Sequence, residues 1–202
     1  MYATKQLKSA QTVDAVNKAI QAWEKITSNP DSKNNPEFYA KALTQNAILL
    51  LTRYRVFENK DDIDNAIALL KQSINLVSSN SQLIPNRLSN LGTCLISRYS
   101  RTGGIEDLEE AIESFKQAIS LTDPKAPELP AYLTNLGNCL ISRYSQTGDL
   151  NDREEAIKNF RQAVSLKDSK APKLPHIRQS RHRSNFSLFT DTVVPNTLEI
   201  LI

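Results

Sequence analysis

The chain has 202 residues, 40% of them hydrophobic, and a formal net charge of +3, enough apolar material for one domain or a short repeat array and too much for disorder throughout. Acidic and basic residues balance up to residue 168. The excess lies beyond it, where Lys170, Lys173, Arg178, Arg181 and Arg183 meet only Asp191 and Glu199, so the body lacks the broad basic face that nucleic acid or an anionic membrane requires.

Glycine occurs only five times, and the middle of the chain is rich in Ala, Leu, Ile, Glu, Lys, Gln and Arg, the residues that helices favour. An all-α fold is expected. No apolar run approaches the roughly 18 residues needed to span a bilayer, and the opening residues lack the apolar stretch of a secretory leader. Cys94 and Cys139 are the only cysteines, too few for a disulfide framework. A cytoplasmic chain with reduced thiols is the expectation, without cofactor or metal.

Residues 1–10 read as a polar lead. The first helical pattern follows, in a half unit near 11–34 that carries Ala19, Ile20 and Trp23. Asn35 before Pro36 is placed to cap the next helix, because an Asn side chain accepts from an orphan N–H and Pro tolerates the first turn. Across the unit near 36–80, Arg53, Tyr54, Ala66 and Ile67 stand 45 residues before Arg98, Tyr99, Ala111 and Ile112. The acidic cluster Asp61, Asp62 and Asp64 fits the N-terminus of a second helix, where the dipole favours negative charge.

The units near 81–125 and 126–170 are close copies: LSNLGTCLISRYS from Leu88 returns as LTNLGNCLISRYS from Leu133. A fixed period of this size announces stacked helical pairs. Leu133, Leu136, Leu140 and Tyr144 recur at steps of three and four and form one stripe, as do Ala156, Ile157, Phe160, Ala163 and Val164 in the second helix. Thr102-Gly103-Gly104 and Thr147-Gly148-Asp149 break the chain between them. About seven helices over residues 11–176, wound as a right-handed α-α solenoid, are expected.

Leu136-Gly137 in a first helix, with Ala156, Phe160 and Ala163 in a second, resembles the tetratricopeptide repeat. The usual repeat is about 34 residues, and the longer form here is similar to the repeat arms of signalling proteins that carry a CHAT peptidase or an NTPase domain. The resemblance implies protein or peptide binding in a concave groove lined by first helices, and no catalysis. It leaves open a regulatory arm, or a truncated remnant of such a protein. A terminal-carboxylate clamp needs Lys, Arg and Asn at positions that here hold Ser89, Thr93, Thr134 and Asn138, so only one residue fits.

Groove candidates are Asn90, Thr134, Asn135 and Asn138, whose side chains can hold an extended backbone; water-facing or locally capping roles are the alternative. Arg98 and Arg143 are candidates as anion hooks, although with Arg53 they also suit the ends of first helices, complementing the dipole and reaching acids on the neighbouring helix. Tyr54, Tyr99 and Tyr144 extend the apolar stripe. The cysteines sit at equivalent repeat positions, and the only histidines, His176 and His182, lie at or past the last matching residue, so no Cys-His catalytic pair or zinc site is read here. Residues 177–202 depart from the repeat. A protein or peptide partner is expected, with neither nucleic acid nor membrane.

Overall fold

The computed structural model describes residues 2–78 and 81–168, with side chains from residue 13 to residue 167. His176, His182 and the divergent segment 177–202 lie outside the described residues. Those described form an α-α solenoid of seven helices: α1 (Tyr2–Ser28), α2 (Pro36–Phe57), α3 (Lys60–Asn75), α4 (Ile84–Thr102), α5 (Ile105–Ser120), α6 (Leu129–Thr147) and α7 (Leu150–Asp168), with a short 3-10 turn at Pro30–Asn34. Helix α1 therefore runs through the polar lead. No helix among the described residues is long and apolar enough to cross a membrane.

Local chemistry sets the joints. The Asn35 side chain accepts from the Phe38 N–H at 3.0 Å and caps α2, and Asn59 does the same for α3 through the Asp61 N–H. Helices α4 and α6 end on Gly103 (φ 68°) and Gly148 (φ 72°), left-handed positions that glycine occupies without a Cβ penalty. The equivalent residue after α2 is Glu58 (φ 59°), which holds the same conformation with a side chain.

Each first helix packs along the following second helix: α2 on α3, α4 on α5, α6 on α7. Each second helix also meets the next first helix. Helix α2 touches α4, and α4 touches α6, whereas the backbones of α3, α5 and α7 stay apart. Long side chains bridge that outer gap, with Lys71 to Glu110 at 2.7 Å and Lys116 to Glu155 at 3.1 Å. The first helices thus line the inside of the curve.

One apolar core threads the stack from Ile20 to Ala156, and its tightest points explain two of the glycines. A Cβ at Gly92 would stand 2.7 Å from the Phe115 ring, and one at Gly137 would stand 2.6 Å from the Phe160 ring. Forty-five residues earlier the same site holds Ala47 and Leu70, both fully buried. A methyl is added on one helix and a ring exchanged for an aliphatic side chain on the other, so the gap is filled either way.

Among the described residues, the last pair packs against a neighbouring pair on one side only. Ile141, Leu150 and Val164 are 38%, 60% and 57% exposed, while the residues one repeat earlier, Ile96, Ile105 and Ile119, are packed against the core.

Asn46 occupies the place of Leu91 and Leu136, and its Oδ1 is buried with no hydrogen-bond partner among the described residues. An unmet buried polar atom costs about 1–3 kcal/mol. Asn46→Leu is expected to stabilise the chain by about 1 kcal/mol, measurable as a higher denaturant midpoint with an unchanged slope.

Candidate functional site

Three homologous stripes face the inside of the curve. On α2 the stripe is Lys41, Gln45, Ile48, Thr52 and Arg55; on α4 it is Asn86, Asn90, Thr93, Ser97 and Ser100; on α6 it is Ala131, Asn135, Asn138, Ser142 and Ser145. The steps of three and four keep each set on one helix face, and none of the fifteen residues is buried.

Between α4 and α6 this surface dips into a cavity of about 160 Å³. Ile96, Phe115 and Cys139 supply its apolar lining, and Arg55, Thr93, Ser97, Asn135, Asn138 and Ser142 its polar lining. The ring of Phe115 belongs to α5 and reaches this cavity past Gly92, so the close approach in the core also shapes the groove.

The polar groups divide by what they have left to offer. Thr93, Ser97 and Ser142 each donate to the carbonyl one turn earlier, on Ser89, Thr93 and Asn138, at 2.8, 2.8 and 3.0 Å. Their protons are committed and their lone pairs remain as acceptors. The amides of Asn135 and Asn138 and the guanidinium of Arg55 have no side-chain partner among the described residues, so they are free to donate.

Of the residues chosen from sequence, Asn135 and Asn138 come together at this cavity. Asn90 lies on the same inner face but outside the cavity, where its Nδ2 donates to Asn86 Oδ1 at 3.0 Å. Thr134 donates to the Pro130 carbonyl at 2.7 Å and is half-buried; its repeat equivalents, Thr44 and Ser89, are buried.

The two arginines sit elsewhere. Arg98 binds Asp107 through Nε (2.8 Å) and Nη2 (2.6 Å) and Asp64 through Nη1 (2.7 Å), and these hydrogen bonds, to Asp107 first, raise its pKa above the ordinary arginine value. Arg143 binds Asp152 in the same two-pronged way, at 2.8 and 2.6 Å. Arg53 does so with Asp62 at 2.7 and 2.6 Å and also donates to Asn17 at 3.1 Å. Each clamp joins the end of a first helix to the start of the second, in the bidentate geometry that fixes orientation. The tyrosines beside them span repeats: Tyr54 donates to the Ser97 carbonyl at 3.4 Å, and the Tyr99 hydroxyl accepts from Gln146 at 2.7 Å.

Asp152 carries a pH signature. The hydrogen bonds from Arg143 hold its carboxyl below the usual carboxylate range. The folded chain then takes up this proton less readily than the unfolded chain, so the clamp's contribution is complete above the unfolded value near 4 and fades as pH falls through the lower, folded value. Thermal melts of the parent and Asp152→Asn should differ most near neutral pH and converge in acid as pH falls through the lowered folded value.

The thiols are unsuited to attack. Burial pushes both Cys94 and Cys139 up to about 12, so they stay protonated at neutral pH, and the nucleophile is the thiolate. No metal-binding group of His, Cys, Asp and Glu exists among the described residues.

Sequence inspection did not select Arg55, Ser97, Ser142 or the Phe115 floor. Extending the three-and-four stripe through Asn90 and Asn135, and then shifting it back by one repeat, leads to Arg55. The contribution of Phe115 depends on a neighbouring helix, which no single stripe reveals.

The tetratricopeptide-repeat family model matches residues 104–123 and 148–170, segments that cover α5 and α7. No curated protein matches the sequence. Among solved structures, the crystal structure of BtubC (BKLC) from P. vanneervenii superposes with a TM-score of 0.58 at 17% identity, covering 89% of this chain and 65% of that one. That of MamA gives 0.47 at 20% identity, covering 83% and 86%. The likeness to BtubC is one of fold, and this chain spans just under two thirds of its length.

Proposed function

We propose that this chain is a non-catalytic interaction module that holds an extended segment of a partner protein in the groove lined by α2, α4 and α6. The observation that carries it is the lining of the α4–α6 cavity. Unpartnered amides of Asn135 and Asn138 stand over an apolar floor, flanked by hydroxyl oxygens with acceptor capacity. Peptide carbonyls would accept from the amides, peptide N–H groups would donate to Thr93, Ser97 or Ser142, and one apolar side chain would fill the cavity. Such a combination takes affinity from the main chain and specificity from a pocket. The tetratricopeptide-repeat match supports the same assignment, since stacked helical pairs present long concave surfaces.

The length of the repeat supports a second reading, in which this groove belongs to a regulatory arm and its partner is a peptidase or an NTPase on a separate chain.

Site-specific photocrosslinking in lysate of the source organism tests the groove. A photoreactive residue in place of Asn138 should trap a partner, while one in place of Gln117, exposed on the outer face between α3 and α5, should not. Adding Asn135→Ala should weaken the product from position 138. Equal trapping from both positions, or from neither, would remove the groove as the binding surface.

A further inference from the structure

We infer that the segment held in the groove is acidic, with a carboxylate set next to an apolar side chain. This rests on the groove reading above and goes further by naming the chemistry of the occupant.

Charge is sorted between the two layers of the solenoid. Helices α4 and α6 contain no acidic residue, and α2 contains only Glu37, in its first turn. The second helices hold the acids, among them Asp61, Asp62 and Asp64 on α3 and Glu106, Asp107, Glu109, Glu110 and Glu113 on α5. Most first-helix cations are already engaged. Arg53, Arg98 and Arg143 are clamped to second-helix aspartates, and Arg101 pairs with Glu58. Arg87 is buried and donates to the Ser73 carbonyl.

Lys41 and Arg55 are left, both exposed, both on the inner stripe, and neither in an ion pair among the described residues. Glu37 lies one turn before Lys41 and offsets it in part. Arg55 has no acid on its own stripe and is the one charged residue that lines the cavity. The cavity therefore presents a guanidinium, free amides and an apolar floor, with no carboxylate in its lining to repel an anion.

An acidic side chain at Arg55, followed by an aliphatic residue over Phe115, Ile96 and Cys139, satisfies each of these groups. A neutral segment would leave the guanidinium unmatched, and a basic one would set like charges together. Charge matching of this kind selects partners and speeds encounter. The arrangement also differs from a grip on a chain terminus, because Arg55 stands beside the cavity and an internal side chain can reach it.

Fluorescence anisotropy on the full chain tests this with three labelled peptides of equal length, alternating leucine with aspartate, asparagine or lysine. The aspartate peptide is expected to bind about fivefold more tightly than the asparagine peptide, the scale of one partly screened ion pair, and to weaken as salt rises. Arg55→Glu should abolish that preference and favour the lysine peptide. Circular dichroism should show an unchanged fold, because Arg55 is exposed and unpaired.

Equal binding of the aspartate and asparagine peptides, with both sensitive to Asn138→Ala, would overturn the acidic preference and leave the groove standing. Aspartate-peptide binding that survives both Arg55→Glu and Asn138→Ala would overturn both readings. Failure of all three peptides to bind would sink the present inference alone, since the crosslinking comparison stands apart from it.

Discussion

Phe115→Ala is expected to lower the unfolding free energy by about 4 kcal/mol, within the range for truncating a fully buried ring. Phe115 is 1% exposed and lies where α4, α5 and α6 meet, so its loss opens a void that two repeats line. The same substitution deepens the groove cavity. Urea unfolding measures the first effect, and peptide binding reads the second. A loss below about 1.5 kcal/mol would mean that α4 collapses onto α5 and fills the space.

The partner residue gives a sharper check. Gly92→Ala alone should cost about 2 kcal/mol through overpacking against the ring. Combined with Phe115→Leu, it recreates the Ala47 and Leu70 pair that the chain already uses between α2 and α3. The double variant should be more stable than the sum of the single changes allows, with a coupling of about 1 kcal/mol or more. Strict additivity would show that the ring and the glycine do not share one packing site.

The second large effect concerns Arg98. Arg98→Met is expected to cost about 3 kcal/mol, because it leaves the carboxylates of Asp64 and Asp107 facing each other, the latter largely buried, without their cation. Arg101→Met removes only an exposed pair with Glu58 and should change stability by less than about 0.5 kcal/mol. Thermal melts of the two variants side by side separate a structural clamp from a surface charge. If Arg98→Met melted like the parent yet lost partner binding, the arginine would be an anion hook after all.

Much of the architecture is legible in the chain because each repeat states its rules twice. Gly92 and Gly137, Tyr99 and Tyr144, and Thr102-Gly103 and Thr147-Gly148 mark the same places 45 residues apart, and α4 and α6 end where the last of those marks predicts. The arginine clamps are legible too, since the acid that each one meets lies nine residues on, across a turn of known type. The candidate site is less so. Asn90, Asn135 and Asn138 look alike on a helical wheel, yet Asn90 spends a donor on Asn86, and only the other two border the cavity. Thr134 does not border the cavity, and its repeat equivalents, Thr44 and Ser89, are buried. What separates these residues is the curvature that draws α4 against α6 and the neighbouring ring beneath them, both products of packing between repeats.

Nearest-neighbour packing among the described helices bears on how the stack unfolds. Helices that touch only their neighbours gain stability from each interface, so α4 and α5, held from both sides, should be the last to open. Among the described residues, helix α7, with Leu150 and Val164 exposed, packs only on α6. Amide hydrogen exchange should therefore slow from α7 inward to α5, in a gradient that follows position in the stack and not helix length. The groove cavity sits between α4 and α6, across the boundary between the slow and the fast segments. An occupant that bridges those helices would draw the exchange of α6 and α7 toward that of the centre, and its arrival could be read from amides that it never touches.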